Sequence, residues 1–228
     1  MPSVSSDTSL RDFQNFVKEV YGQSNDRYFN WDDMAANVER FIMRGLKGIR
    51  KGDRSKTLLN MLVAQSWFMS LLNQLHIDLE AEVWQRFPYA CSYCGSCPCQ
   101  CQSKKAEERL AIKAEVDRQP KTLRDLQAMF RAIYPPEKRR LEDAGIHLAE
   151  EAGELSEALL AYRGSHEDKN FAAVALEAAD LFSCFVGVLN SLDADMTDEL
   201  AKMFHDNCHV CHQAPCVCGF SAIIGFKS

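Results

Sequence analysis

Nine of the ten cysteines fall into two clusters of identical spacing, and that repetition constrains the fold more than any other feature of the chain. The first cluster is Cys91-x2-Cys94-x4-Cys99-x-Cys101, and the second is Cys208-x2-Cys211-x4-Cys216-x-Cys218. A proline, Pro98 or Pro215, precedes the third thiol in each. An internal repeat has to be found before local patterns are read, because missing one miscalls the architecture. Sliding the sequence by 117 residues also superimposes Leu59, Ser66, Phe68, Leu72, Asn73, Leu75, Asp78, Glu82 and Phe87 on Leu176, Ser183, Phe185, Leu189, Asn190, Leu192, Asp195, Glu199 and Phe204. Counting the four cysteines and the proline, 14 of the 43 positions from 59 to 101 are identical. Further upstream, Leu10, Arg11, Asp12, Gln14 and Tyr21 match Leu123, Arg124, Asp125, Gln127 and Tyr134 at a shift of 113. The four-residue difference falls between segments, where loops absorb insertions.

The chain is therefore read as a duplication, 8–101 and 120–218, joined by the charged segment 102–119. Lys104 to Arg118 mixes good helix formers with Lys/Glu pairs, so this linker is expected to be helical. Gly and Pro are few, and apolar residues recur at three- and four-residue spacing through the long segments. The second repeat reads as four helices. The first runs from Pro120 to about Tyr134, and the second from the Pro135-Pro136 pair to about Tyr162. The third is capped near Ser165 and runs to about Leu192, and the fourth covers Thr197 to Asn207. The expected fold is all-α, with two tandem antiparallel bundles each ending in a cysteine cluster.

Composition removes several classes. With 46% hydrophobic and 25% charged residues, the chain is neither collagen-like nor disordered. A net charge of −6 gives no electrostatic reason to expect a nucleic-acid partner. Met1 to Arg11 is polar, with no apolar targeting segment, so the expected location is cytoplasmic. In such a compartment, spaced thiols point to structural metal rather than disulfides. The simplest assignment is two zinc sites, Cys91, Cys94, Cys99 and Cys101 in one and Cys208, Cys211, Cys216 and Cys218 in the other. An iron–sulfur or redox centre stays open, and His205, His209 or His212 would be able to replace a thiol in the second site. Cys97 is an extra thiol in the first cluster, and Cys184 is expected to be a core thiol. Trp31, Trp67 and Trp84 are expected in core or interface.

Phe171 to Leu189 is apolar apart from Glu177, Asp180 and Ser183. Its length would suit a membrane span, but two mid-span carboxylates are costly in lipid, so it is read as a buried bundle helix. Glu177 and Asp180, three residues apart, share one face. Buried charges need compensation, yet the preceding helix carries Glu150, Glu151, Glu154 and Glu157. Glu151 and Glu154 have the same spacing, so two antiparallel helices would gather four carboxylates. An oxygen-only cluster of this kind suits Mg²⁺ or Mn²⁺. Lys138, Arg139, Arg140 and His147 lie near the entry of that helix, where they would grip an anionic leaving group.

Glu150-Glu151-x-x-Glu154, followed by Glu177-x-x-Asp180, resembles the EExxE…ExxD signature of the MazG-like all-α nucleoside triphosphate pyrophosphohydrolases. The resemblance spans roughly 120–207. It implies Mg²⁺-dependent hydrolysis of a nucleoside triphosphate to the monophosphate and pyrophosphate. It further implies that Glu151, Glu154, Glu177 and Asp180 hold the metal, that Glu150 orients a water, and that Lys202 and Asn207 lie near the nucleotide. The cysteines are no part of that signature. In the first repeat, Met34, Asn37, Asn60 and Val63 stand opposite the four proposed ligands, and Gln85 and Ala90 stand opposite Lys202 and Asn207. That copy reads as degenerate, serving as a permanent partner in an internal pseudo-dimer; a further homodimer is left open. Its basic run, Arg44, Lys47, Arg50, Lys51, Arg54 and Lys56, reads either as a solvated helix end or as a phosphate-binding patch. The alternative reading of the whole chain is a non-catalytic nucleotide sensor or a zinc-dependent interaction protein.

Overall fold

The computed structural model describes residues 3–104 and 106–226. Among these it contains ten α-helices and no strand. They are α1 (Leu10–Tyr28), α2 (Trp31–Arg50), α3 (Arg54–Leu75), α4 (Leu79–Arg86), α5 (Cys101–Lys104), α6 (Leu123–Ile133), α7 (Leu141–Ser165), α8 (Asp168–Ser191), α9 (Met196–Phe204) and α10 (Phe220–Gly225). The all-α expectation holds.

Local sequence explains where these helices start. Ser9 and Asp12 form a reciprocal capping box at α1, both hydrogen bonds at 3.0 Å, and Asn30 and Asp33 do the same at α2. Such caps satisfy backbone amides that a helix start leaves unpaired. Thr122 accepts from Asp125 N–H at α6, so that helix begins after Pro120 rather than at it. Pro135-Pro136 opens a single 3₁₀ turn, Pro136–Lys138, and α7 starts only at Leu141. Ser165 is the last residue of α7, and its hydroxyl accepts from Glu167 N–H in the short connection to α8.

The compact units do not follow the repeat boundaries read from the sequence. Unit 1 combines the chain up to Asp78 with the chain from Met196 onward, and unit 2 is Leu79–Asp195. Unit 1 therefore holds α1, α2 and α3 of the first repeat with α9 and the second cysteine cluster. Unit 2 holds α6, α7 and α8 of the second repeat with α4 and the first cysteine cluster. The tails have been exchanged.

Matching contacts hold each exchanged tail. In unit 1, Phe204 of α9 is 1% exposed and lies among Phe13, Phe16 and Tyr21 of α1, with ring centroids 6.0 to 6.3 Å away. In unit 2 its counterpart Phe87 meets Phe130 at 5.3 Å and Tyr134 at 6.3 Å. Arg11 pairs with Asp78 in unit 1, and Arg124 pairs with Asp195 in unit 2. Gln14 donates to the Ile77 carbonyl at 2.7 Å, and Gln127 donates to the Ala194 carbonyl at 2.8 Å. The clusters dock in the same way, with Cys216 N–H donating to Val20 and Cys99 N–H to Ile133. The peptide bonds before Pro98 and Pro215 are both cis.

The linker departs from its expected helix. Among its described residues, the regular structure is limited to three residues of α5, which begins at Cys101, and a 3₁₀ turn at Val116–Arg118. Its exposed Lys and Glu residues supply no apolar face to bury, and its backbone is used otherwise. Leu110 N–H donates to the Ser92 carbonyl at 2.8 Å, so the strip is tied to the cysteine loop. The apolar helix α8 is packed inside unit 2, with 72% of its most apolar window buried, as a bundle-core helix requires.

The exchange makes a direct prediction. Chains ending near residue 104 and beginning near 106 should each fail to melt cooperatively alone, because each lacks the tail its core needs. Mixed, they should co-elute and recover a cooperative circular-dichroism transition. Phe204→Ala should cost about 3–5 kcal/mol, measured by urea denaturation.

Candidate metal centres and the carboxylate cleft

Each cysteine cluster brings its four sulfurs within 4.8 Å of one another. Cys91 and Cys101 are 3.5 Å apart and Cys94 and Cys99 3.9 Å; the corresponding pairs of the second cluster are at 4.0 and 3.8 Å. All ten cysteines are free thiols. Tetrahedral zinc with Zn–S near 2.3 Å sets sulfurs about 3.8 Å apart, so the spacing fits one ion per cluster. Backbone amides point at the sulfurs: Gln100 N–H at Cys94 (3.2 Å), Val210 N–H at Cys208 (3.4 Å) and Cys218 N–H at Cys216 (3.4 Å). Such donors favour thiolate. Burial opposes ionisation at Cys94, but the Gln100 and Ser96 amides bring it down to about 6. Cys97 is exposed and lies outside the set. No histidine joins either set among the described residues. His209 is instead held 2.9 Å from the Tyr21 hydroxyl and lowered to about 4 by burial. A thiol-bound metal such as zinc therefore suits both clusters.

The second feature is a cleft of about 260 Å³ in unit 2. α7 and α8, joined by a two-residue connection, form a hairpin and present Glu151, Glu177 and Asp180 with oxygens mutually within 4.8 Å. Glu151 and Asp180 are 7% and 3% exposed. Burial, then the charges of Asp180 and Glu154, raise Glu177 to about 7. Glu154 is exposed and is also raised, first by desolvation and then by Glu151. Among the described residues, Glu151 Oε2 and Glu177 Oε2 are buried without a hydrogen-bond partner. Buried carboxylate oxygens left this way are costly, and a hard divalent cation would satisfy both. Glu150 and Glu157 are exposed on α7.

The preceding helix α7 offers acids rather than a basic partner for Asp180, which finds two elsewhere in unit 2. Arg86 of α4 and Arg109 of the linker pair with it at 2.5 and 2.7 Å. Neither lies near the acidic motifs in sequence. A comparison of the repeats would have marked Arg86, since Met203 stands in its place. Cys184 is buried in the core as expected, and its Sγ also lies 3.5 Å from His147 Nδ1 and lines the cleft. Its hydrogen bond to His147, and then that of Glu151 to Nε2 at 3.0 Å, raise the imidazole to about 10. Arg139 reaches His147 at 3.3 Å, crossing α8 at Gly187, where any Cβ would collide with the guanidinium. Arg139 and His147 thus both line the cleft with the acids, whereas Lys138 and Arg140 are exposed. Lys202 and Asn207 belong to unit 1, where Lys202 pairs with Glu199 and Asn207 donates to Asp206.

Unit 1 has a smaller pocket at the corresponding place, about 50 Å³. Val63, Ser66 and Trp67 stand where unit 2 has Asp180, Ser183 and Cys184, and Phe226 fills the mouth beside His209. Asn37 and Asn60 turn their amides onto their own helix, toward the Asp33 and Lys56 carbonyls. Arg44 of the basic run donates to the Phe226 carbonyl. Trp84 is 6% exposed in the core, whereas Trp67, which packs on Phe29 at 5.1 Å, and Trp31 are half-buried.

Anaerobically purified protein should contain about two zinc equivalents per chain, and Cys91→Ser should remove about one, by elemental analysis. Glu177, raised above its ordinary 4.5, binds its proton more tightly when folded, so ionisation between pH 4.5 and 7 destabilises the metal-free fold. A cation binds the ionised form, so Mn²⁺ affinity measured by electron paramagnetic resonance should tighten roughly tenfold from about pH 6 to pH 8. No protein-family model matches this chain, and no curated protein or solved structure matches it either.

Proposed function

We propose that unit 2 is a Mg²⁺-dependent nucleoside triphosphate pyrophosphohydrolase. The supporting observation is the meeting of Glu151, Glu177 and Asp180 on α7 and α8, with two buried carboxylate oxygens unpartnered. These are three of the four residues that the resemblance to MazG-like enzymes assigns to the metal; the fourth, Glu154, lies outside the group. Those three residues would hold the ion, which when bound would neutralise phosphate oxygens and lower the barrier to in-line attack. Glu154, exposed nearby on α7 with its proton affinity raised by desolvation and by Glu151, would accept the proton of the attacking water. Water adds to the α-phosphorus, the bond to the bridging oxygen breaks, and the products are monophosphate and pyrophosphate. Arg139 and His147 line the same cleft and would meet the departing pyrophosphate. The first repeat takes the place of a partner subunit, lending α4 and its cysteine cluster to the catalytic unit.

The occupied state of Asp180 favours a second reading, a nucleotide sensor without turnover, because an acid paired to two arginines is not free to bind metal. Incubation with a panel of ribo- and deoxyribonucleoside triphosphates and Mg²⁺, following pyrophosphate release, separates the two. The hydrolase reading expects turnover, lowered at least about hundredfold in Glu154→Gln with the melting transition intact. Nucleotide binding without pyrophosphate release from any substrate would leave the sensor.

A further inference from the structure

Asp180 is held more elaborately than packing alone requires. Arg86 approaches it with Nε at 3.1 Å and Nη2 at 2.5 Å, a two-pronged contact, and Arg109 adds Nη2 at 2.7 Å. The side chains are 11%, 24% and 4% exposed for Arg86, Arg109 and Asp180. Arg109 is steadied by Ser92 Oγ at 2.9 Å and lies over the Tyr93 ring at 4.3 Å.

Unit 1 is the internal control. At the 117-residue shift, Asp180, Arg86 and Arg109 correspond to Val63, Met203 and Phe226. Phe226 packs against His209, the counterpart of the Ser92 that Arg109 touches. All three positions are charged in one unit and apolar in the other, on the same framework. Replacing a buried ion pair with apolar residues is often neutral or stabilising. Holding the helices together therefore does not account for the charged set in unit 2.

A guanidinium fork matches phosphate oxygens with the geometry it uses on a carboxylate. Once a divalent ion joins Asp180, Arg86 and Arg109 lose their anionic partner, and Arg109 lines the cleft beside it. We propose that these two arginines are a polyphosphate-binding pair that rests on Asp180 until a divalent cation takes that carboxylate. Metal and arginines compete for one acid, and the displaced forks turn to the phosphate oxygens of the ligand. Cation and polyphosphate then favour each other's binding. The inference rests on the metal role proposed for Asp180, but not on turnover.

The test uses the full-length chain and two binding measurements without a hydrolysable nucleotide. Arg109→Leu removes one fork while Arg86 still pairs with Asp180, and Arg109→Lys keeps the charge without the fork. In the absence of anion, Arg109→Leu should bind Mn²⁺ at least about threefold more tightly than wild type, by electron paramagnetic resonance. In saturating Mg²⁺, its affinity for radiolabelled inorganic triphosphate, by equilibrium dialysis, should fall at least about tenfold. Arg109→Lys should recover only part of the triphosphate affinity. A structural role would weaken both measurements together or move neither, and either result overturns the proposal. Wild-type protein that binds no Mn²⁺ in the cleft removes the metal reading and this inference with it. Mn²⁺ and triphosphate binding as expected, but no pyrophosphate released from any nucleotide, overturns the hydrolase reading alone.

Discussion

Two backbone hydrogen bonds set the plan of this chain: Cys99 N–H to the Ile133 carbonyl and Cys216 N–H to the Val20 carbonyl. Each seats the cysteine cluster of one repeat on the first helix of the other. The phenylalanine that precedes each cluster follows it into the same foreign core, Phe87 among Phe130 and Tyr134, Phe204 among Phe13, Phe16 and Tyr21. A metal closing each set of four thiols would make a loose loop into a rigid dock, and so reinforce the exchange.

The helices were legible because their apolar spacing and caps are local, and the duplication was legible because cysteine spacing is rigid. The exchange was not legible. Phe87 and Phe204 occupy equivalent places in nearly equivalent tails, so the pattern fits either core. The linker misled because Lys/Glu pairing is a helix signal only where nothing else claims the backbone; here Leu110 is tied to Ser92. Glu177 and Asp180 stood out because acids inside an apolar helix conflict with their surroundings. Arg86 did not, since an arginine closing a short helix is ordinary by itself.

Glu177 and Asp180 of α8 sit one turn apart in opposite circumstances. Asp180 is met by two guanidinium groups, whereas Glu177 has one oxygen with no partner and a raised proton affinity. The same helix face thus offers one satisfied charge and one unsatisfied one. In unit 1 the corresponding Val63 and Asn60 remove both problems, the first by being apolar and the second by bonding to its own helix. The corresponding pocket of unit 1 is also the smaller of the two, about 50 against 260 Å³.

Unit 2 is one uninterrupted stretch of chain, whereas unit 1 is split around it. During synthesis, every residue of unit 2 emerges before any residue of the second cysteine cluster does. The carboxylate unit can therefore assemble while α1, α2 and α3 still wait for Phe204 to fill their aromatic centre. For that interval the exposed core surface lies in α1, α2 and α3, so the first repeat is where a chaperone would be needed and where premature arrest would leave an incomplete core.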